Sequence, residues 1–213
     1  NNRIDNTGDS AIKSTGVAGV GGDILVDNNY IGQNVGSVIK GNGVFLGSQW
    51  GGTVKRNRIS NATQIITEDK ASGVYLSGTT GTTVGGALAT DGNIIDNSDW
   101  DGIKIKRGAN NTARNNTISN STRVGIYSEA SNNVKIWDNN ITNSDIMGGV
   151  GVLGGQTISI LRNTISNSPT STSESGIEVT KVTGGDNRIA DNYVSSINGY
   201  GINVNKTKNI KCQ

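Results

Sequence analysis

The chain has 213 residues, of which 32% are apolar, 4% aromatic and 17% charged, and its formal net charge is +2. So balanced a charge, without any long basic run, excludes an electrostatic nucleic-acid surface. No apolar stretch approaches the roughly 18 residues that a membrane-spanning helix needs, so membrane insertion is excluded as well. The length predicts one domain, 1–213. With 31 Gly and 29 Asn, the composition would suit a disordered chain if those residues were scattered at random. They are not scattered.

From the first residues onward the chain repeats itself. A phrase Asn-x-Ile/Val recurs at Asn2, Asn29, Asn57, Asn93, Asn116, Asn140, Asn163 and Asn192. A second phrase, Gly followed by alternating aliphatics, comes after each. It is degraded in "AIKS" at Ala11, then reads "GVFL" at Gly43, "GVYL" at Gly73, "GIKI" at Gly102, "GIYS" at Gly125, "GVGV" at Gly149, "GIEV" at Gly176 and "GINV" at Gly201. A third segment closes most copies: "GDILVD", "GTVKRN", "NTARN", "NVKIWD", "TISILRN" and "DNRIAD". Period-two alternation predicts strands rather than helices. Repetition every two to three dozen residues predicts a solenoid, because three short strands cannot bury their apolar faces alone.

The expected architecture is therefore all-β: a single-stranded parallel β-helix of about eight coils, with three short strands per coil. Each strand pairs with its equivalent in the next coil, and Val, Ile and Leu stack inward. Gly is expected at tight corners that need positive φ. Asn is expected at a corner it tolerates, bonded to its copies above and below. Two irregularities stand out. The interval from Asn57 to Asn93 holds "SGTTGTTVGGALATDG", read as an inserted loop that walls one side of the face around Lys104. "NSPTSTSESG" at Asn167–Gly176 reads as a smaller polar loop.

These phrases resemble the right-handed parallel β-helix repeats of the pectate-lyase-like superfamily over nearly the whole chain, Asn2 to about Asn209. The resemblance implies a polysaccharide as partner and an extracellular, cell-surface or virion-surface setting. It covers lyases, hydrolases, uronate epimerases, tailspike-like fibres and non-catalytic surface proteins, so it does not choose among them. The chain departs from the catalytic patterns of the family. It contains no His, so neither an Asp-Pro-His nor a Gly-His-Gly motif can exist.

The strand pattern itself offers one candidate face. Aligning the copies on their Gly predicts an outward column of Phe45, Tyr75, Lys104, Tyr127, Gly151, Glu178 and Asn203. The next predicted column is Gly47, Ser77, Lys106, Glu129, Leu153, Thr180 and Asn205. Around the middle copies this gathers Tyr75, Trp100, Lys106, Arg107, Tyr127 and Glu178 as sugar-contacting residues, through aromatic faces and cations that suit uronate or sulfate. Lys104, Glu129 and Asp101 are the candidates for acid–base chemistry. The competing reading is an ordinary solvated sheet face.

Asp99 and Asp101 could contribute to a Ca²⁺ site, although two carboxylates do not complete one. No other cofactor is implied. "GVGVLG" at Gly149 matches a dinucleotide pattern but lies in a strand column with no helix after it. "GVGGD" at Gly19 is a turn, and Trp50, Trp137 and Tyr200 read as caps or anchors. The glycosylation sequons at Asn61, Asn110, Asn115, Asn120, Asn140 and Asn205 are by-products of Asn-rich corners, with Asn140 crowded in its stack. Cys212, the one cysteine, reads as a tail residue. The chain opens within a repeat and shows no capping helix. It is therefore expected to be part of a longer protein, or to meet flanking domains or copies of itself at its coil ends.

Overall fold

The computed structural model describes residues 2–16, 23–63, 71–168 and 175–213. The readings of "GVGGD" and of "NSPTSTSESG" fall largely outside these residues. Every strand pairing among the described residues is parallel. The Asn-phrase strands form one eight-stranded sheet: Arg3–Ile4, Tyr30–Ile31, Arg58–Ala62, Ile94–Ser98, Thr117–Ser121, Asn140–Thr142, Thr164–Ser168 and Tyr193–Ile197. The Gly-phrase strands and the third segments form a second sheet. It is continuous because two strands, Val124–Trp137 and Gly148–Leu161, run through both parts of their coils. The chain is thus a parallel β-solenoid with three strand positions per coil. Eight copies of the Asn phrase enclose seven full turns, so the rod is about 34 Å long at ~4.8 Å per step.

The core is a set of aliphatic columns, one residue deep. Ile31, Ile59, Ile95, Ile118, Ile141 and Ile165 stack in the first sheet. Val44, Val74, Ile103, Ile126, Val150 and Ile177 stack under the Gly phrases, and Val54, Val84, Ala113, Ile136, Ile160 and Ile189 under the third segments. All of these are buried. At roughly 1.5–3 kcal/mol per buried aliphatic side chain, so thin a core suffices for a fold with so few apolar residues.

The Gly of every Gly phrase but the last proves to serve close packing rather than a left-handed corner. A Cβ on Gly102 would stand 2.3 Å from Ile118 Cγ2 and 2.6 Å from Gly125 O, and Gly43, Gly73, Gly125, Gly149 and Gly176 meet the same obstacle. Among the described residues, left-handed corners are instead held mainly by non-Gly residues, ten of the twenty-one being Asn.

The stacked Asn residues form a continuous ladder. In Asn2, Asn29, Asn57, Asn93, Asn116, Asn139 and Asn163, the backbone N–H and Nδ2 both donate to Oδ1 of the next Asn at 2.9–3.1 Å, ending at Asn192. Asn139 therefore takes the place assigned above to Asn140, because its phrase starts one residue earlier. Asn140 points out of the first sheet and is exposed, not crowded. The ladder Asn are not themselves left-handed. The residue before each often is, as at Asn28, Arg56, Asn115, Asp138, Arg162 and Asp191.

The long Asn57–Asn93 interval is not one loop. Its Thr83–Gly85 forms the third strand of that coil. A short 3₁₀ turn, Ala89–Asp91, follows at the Asn corner, where Asp91 O accepts Arg56 N–H and Gly86 O accepts Asn115 Nδ2. That insertion lies beside the ladder and does not wall the Lys104 face. Among the described residues no helix is long and apolar enough to cross a membrane.

Candidate functional site

The registers place the aligned residues as the alternation requires. Phe45 pairs with Tyr75, Tyr75 with Lys104, Lys104 with Tyr127, Tyr127 with Gly151 and Gly151 with Glu178. Beside them Ser77, Lys106, Glu129 and Leu153 form the second stripe. Tyr75, Lys104 and Tyr127 thus stand on three consecutive coils. Glu178 lies two coils beyond Tyr127 and does not join them.

Outward does not mean exposed on this face. Tyr75, Lys104 and Tyr127 are only 4–5% accessible, and Asp101 is fully buried. Large side chains one coil step apart lean on one another. Phe45 meets Tyr75 edge to face at 5.3 Å between centroids, and Lys104 Nζ lies 4.7 Å from the Tyr75 ring centroid. Arg123 completes the cluster. Its guanidinium lies 3.9 Å from the Tyr127 ring centroid and 4.6 Å from that of Trp100, while Nε donates to Asp101 Oδ1 at 2.8 Å and Nη2 to Oδ2. Sequence reasoning missed Arg123. Extending the Gly alignment two residues upstream would have set it on the coil after Trp100, where the structure bonds its N–H to Trp100 O.

The accessible rim is built from other groups. Lys106 and Glu129 approach to 3.8 Å, both partly exposed. Arg107 is exposed, held left-handed at φ 55° with its N–H on Glu129 O. The three candidates for acid–base chemistry are therefore separated in role: Asp101 is locked to Arg123, Lys104 is packed on Tyr75, and Glu129 faces Lys106. Among the described residues no group of three His, Cys, Asp or Glu could hold a metal ion. Ca²⁺ at Asp101 would have to displace the Arg123 guanidinium. Two cavities, about 430 Å³ lined by Asp186 and Lys211 among others and about 280 Å³ lined by Thr7 and Lys40 among others, lie towards the two ends of the rod, away from these stripes.

Burial, the largest cause, pushes the Asp101 carboxyl up to about 6 against the pull of Arg123. A carboxyl that binds its proton more tightly in the fold contributes stability at low pH. That contribution is lost as pH rises from the unfolded value near 4 through about 6. Thermal unfolding followed by circular dichroism should give a Tm about 5 °C higher at pH 4.5 than at pH 7. Asp101→Asn should flatten that slope. Asp27 and Asp138, held low by Arg56 and Arg162 respectively, favour the fold above pH 4 and lose their effect only below it.

The model of the family described as "Right handed beta helix region" matches residues 72–213, two thirds of the chain. No curated protein sequence matches. Among solved structures, the chain is similar to a periplasmic alginate epimerase, AlgG, with TM-score 0.50 and 14% identity over 89% of this chain and 44% of that one. It is also similar to the A-module of the Azotobacter vinelandii mannuronan C-5 epimerase AlgE6 (TM-score 0.47, 16% identity, 90% of this chain and 58% of that one). A third is PfbA, a surface adhesin of Streptococcus pneumoniae (TM-score 0.36, 12% identity, 85% and 59%). The chain spans less than two thirds of the length of each, and likeness at such identities concerns the fold. Seven parallel turns, an unbroken Asn ladder and the family match together establish that the chain belongs to the right-handed β-helix family.

Proposed function

We propose that the chain is a polysaccharide-interacting β-helix domain that binds an acidic glycan along the Gly-phrase strand face. The observation that carries this reading is the rim of Lys106, Arg107 and Glu129 beside the bank of Tyr75, Lys104, Tyr127, Arg123 and Trp100. Cations suit carboxylate or sulfate groups, and the aromatic bank holds the strands that carry them rigid. The fold shared with a protein described as a periplasmic alginate epimerase supports a uronate-type ligand and a setting outside the cytoplasm. In this reading the domain is a segment of a larger extracellular or surface assembly.

Binding is favoured over turnover because the groups suited to chemistry are engaged. Asp101 and Arg123 form a buried pair, and the one accessible carboxylate of the candidate trio, Glu129, faces a cation. Titration calorimetry with oligogalacturonate and oligomannuronate tests this. We expect binding at this face that is lost in Lys106→Ala/Arg107→Ala and is absent for a neutral oligosaccharide. Equal binding by the double variant would reject the reading. Release of unsaturated or epimerised product, lost in Lys104→Ala or Glu129→Gln, would replace it with an enzymatic one.

A further inference from the structure

Trp137 occupies a position where the solenoid needs nothing large. Its neighbour Ile136 fills the core column, so Trp137 stands on the outer face of the third-segment strands, in register with Arg114 before it and Leu161 after it. The indole Nε1–H donates to Ser159 Oγ at 3.0 Å, one coil on and one column across, which fixes the ring diagonally over two coils. The ring stays partly exposed.

Cations border it on two sides. Lys135 Nζ lies 5.2 Å and the Arg114 guanidinium carbon 5.9 Å from the ring centroid. Asp138 then ties three successive coils together, accepting Arg114 Nε at 3.0 Å from the coil before and Arg162 at 2.6 and 3.0 Å from the coil after. Three cations and one carboxylate leave +2 on a patch of roughly 10 Å along the rod, equal to the formal charge of the whole chain. Elsewhere the column holds Lys55, Gly85, Leu161 and Ala190, so stacking of the coils does not demand an indole there.

A fixed, partly exposed indole offers an apolar plane for the C–H face of a pyranose. The flanking guanidinium and ammonium groups offer partners for its carboxylate or sulfate. We infer that Trp137, Arg114 and Lys135 form a second platform for an anionic saccharide, distinct from the rim at Lys106 and Arg107. The left-handed residues Ala130 and Asn133 separate Glu129, the rim's carboxylate, from Lys135 and Trp137 on the same long strand. The inference shares the ligand class of the proposed function but none of its residues.

Calorimetry on the full chain with short oligogalacturonate separates them, with a neutral cello-oligosaccharide as control. We expect two sites for the acidic probe. Trp137→Ala should remove one, Lys106→Ala/Arg107→Ala the other, and the combined variant both. Arg114→Gln/Lys135→Gln, which keeps the ring, should weaken the Trp137 site about tenfold and leave circular dichroism unchanged. One site that survives Trp137→Ala and is lost in Lys106→Ala/Arg107→Ala overturns this inference and keeps the earlier reading. One site lost only in Trp137→Ala does the reverse, and no binding of the acidic probe overturns both. Equal binding of the neutral probe at the Trp137 site overturns the assignment to an anionic ligand.

Discussion

Asn116→Ala is expected to destabilise the protein by about 3–4 kcal/mol, lowering Tm by roughly 10 °C. Asn116 sits mid-ladder and buried. Its Oδ1 accepts both Asn93 N–H and Asn93 Nδ2, at 3.1 and 2.9 Å. Its own Nδ2 donates to Asn139 Oδ1, Val84 O and Arg114 O. Truncation leaves the Asn93 N–H without an acceptor where water does not reach, and a buried donor so stranded costs 1–3 kcal/mol beyond the lost bond. Asn116→Asp should do no better at pH 7, although it is nearly isosteric. A carboxylate can accept from Asn93 but would face three further acceptors with nothing to donate. Part of its loss should return at acid pH, where protonation restores one donor and stability gained on protonation fades again as pH rises. Asn2→Ala, at the exposed end of the ladder, should cost under 1 kcal/mol. Chemical denaturation of the three variants decides the matter. Equal losses at Asn2 and Asn116 would show that the ladder is not what holds the corner.

The second large effect is expected at Gly125. Gly125→Ala would drive its Cβ to 2.3 Å from Ile141 Cγ2 and 2.7 Å from Gly149 O. One partner is backbone of the neighbouring coil, so relief requires the coils to part. The expected cost is about 2–4 kcal/mol, rising for Gly125→Val. Gly201 is the same phrase position in the last copy, and a Cβ there meets nothing within 4 Å. Gly201→Ala should therefore stay within about 0.5 kcal/mol of the parent. Comparable losses at both positions would mean that the glycines act through backbone freedom rather than through space.

Much of this architecture was legible in the order of residues because a strand has period two and a coil reuses its corners. Register follows from those facts, and the columns of Tyr75, Lys104 and Tyr127 and of Lys106 and Glu129 stand as alignment on Gly required. What alternation does not encode is how far an outward side chain stays in water. Phe45, Tyr75, Lys104 and Tyr127 are long groups one coil step apart, and they shelter one another. Arg123 arrives from a corner and pairs with Asp101. That corner lies outside the alternating segments, so only the repeat alignment, extended upstream of the Gly, places it. Thr83–Gly85 was hidden differently: "TVG" is too short and too rich in small residues to declare a strand until its neighbours Thr53 and Thr112 are known. The Gly phrase is a case of right residues and wrong reason. Its glycines looked like corner residues, but the isoleucine methyl groups of the first sheet dictate them.

The recurrence of one set of contacts between every pair of coils makes the molecule's length a quantised property. Excision of one whole repeat, such as residues 116–138, would bring the Asn93 amide against the Asn139 carbonyl and set Gly102 over Gly149, rejoining like with like. Removing two residues from within a strand of that stretch would instead shift the strand two positions against its neighbours and break its columns. Rods of this kind can be lengthened or shortened only in single-turn increments, which suits a scaffold whose task is to hold surface groups at fixed multiples of one spacing.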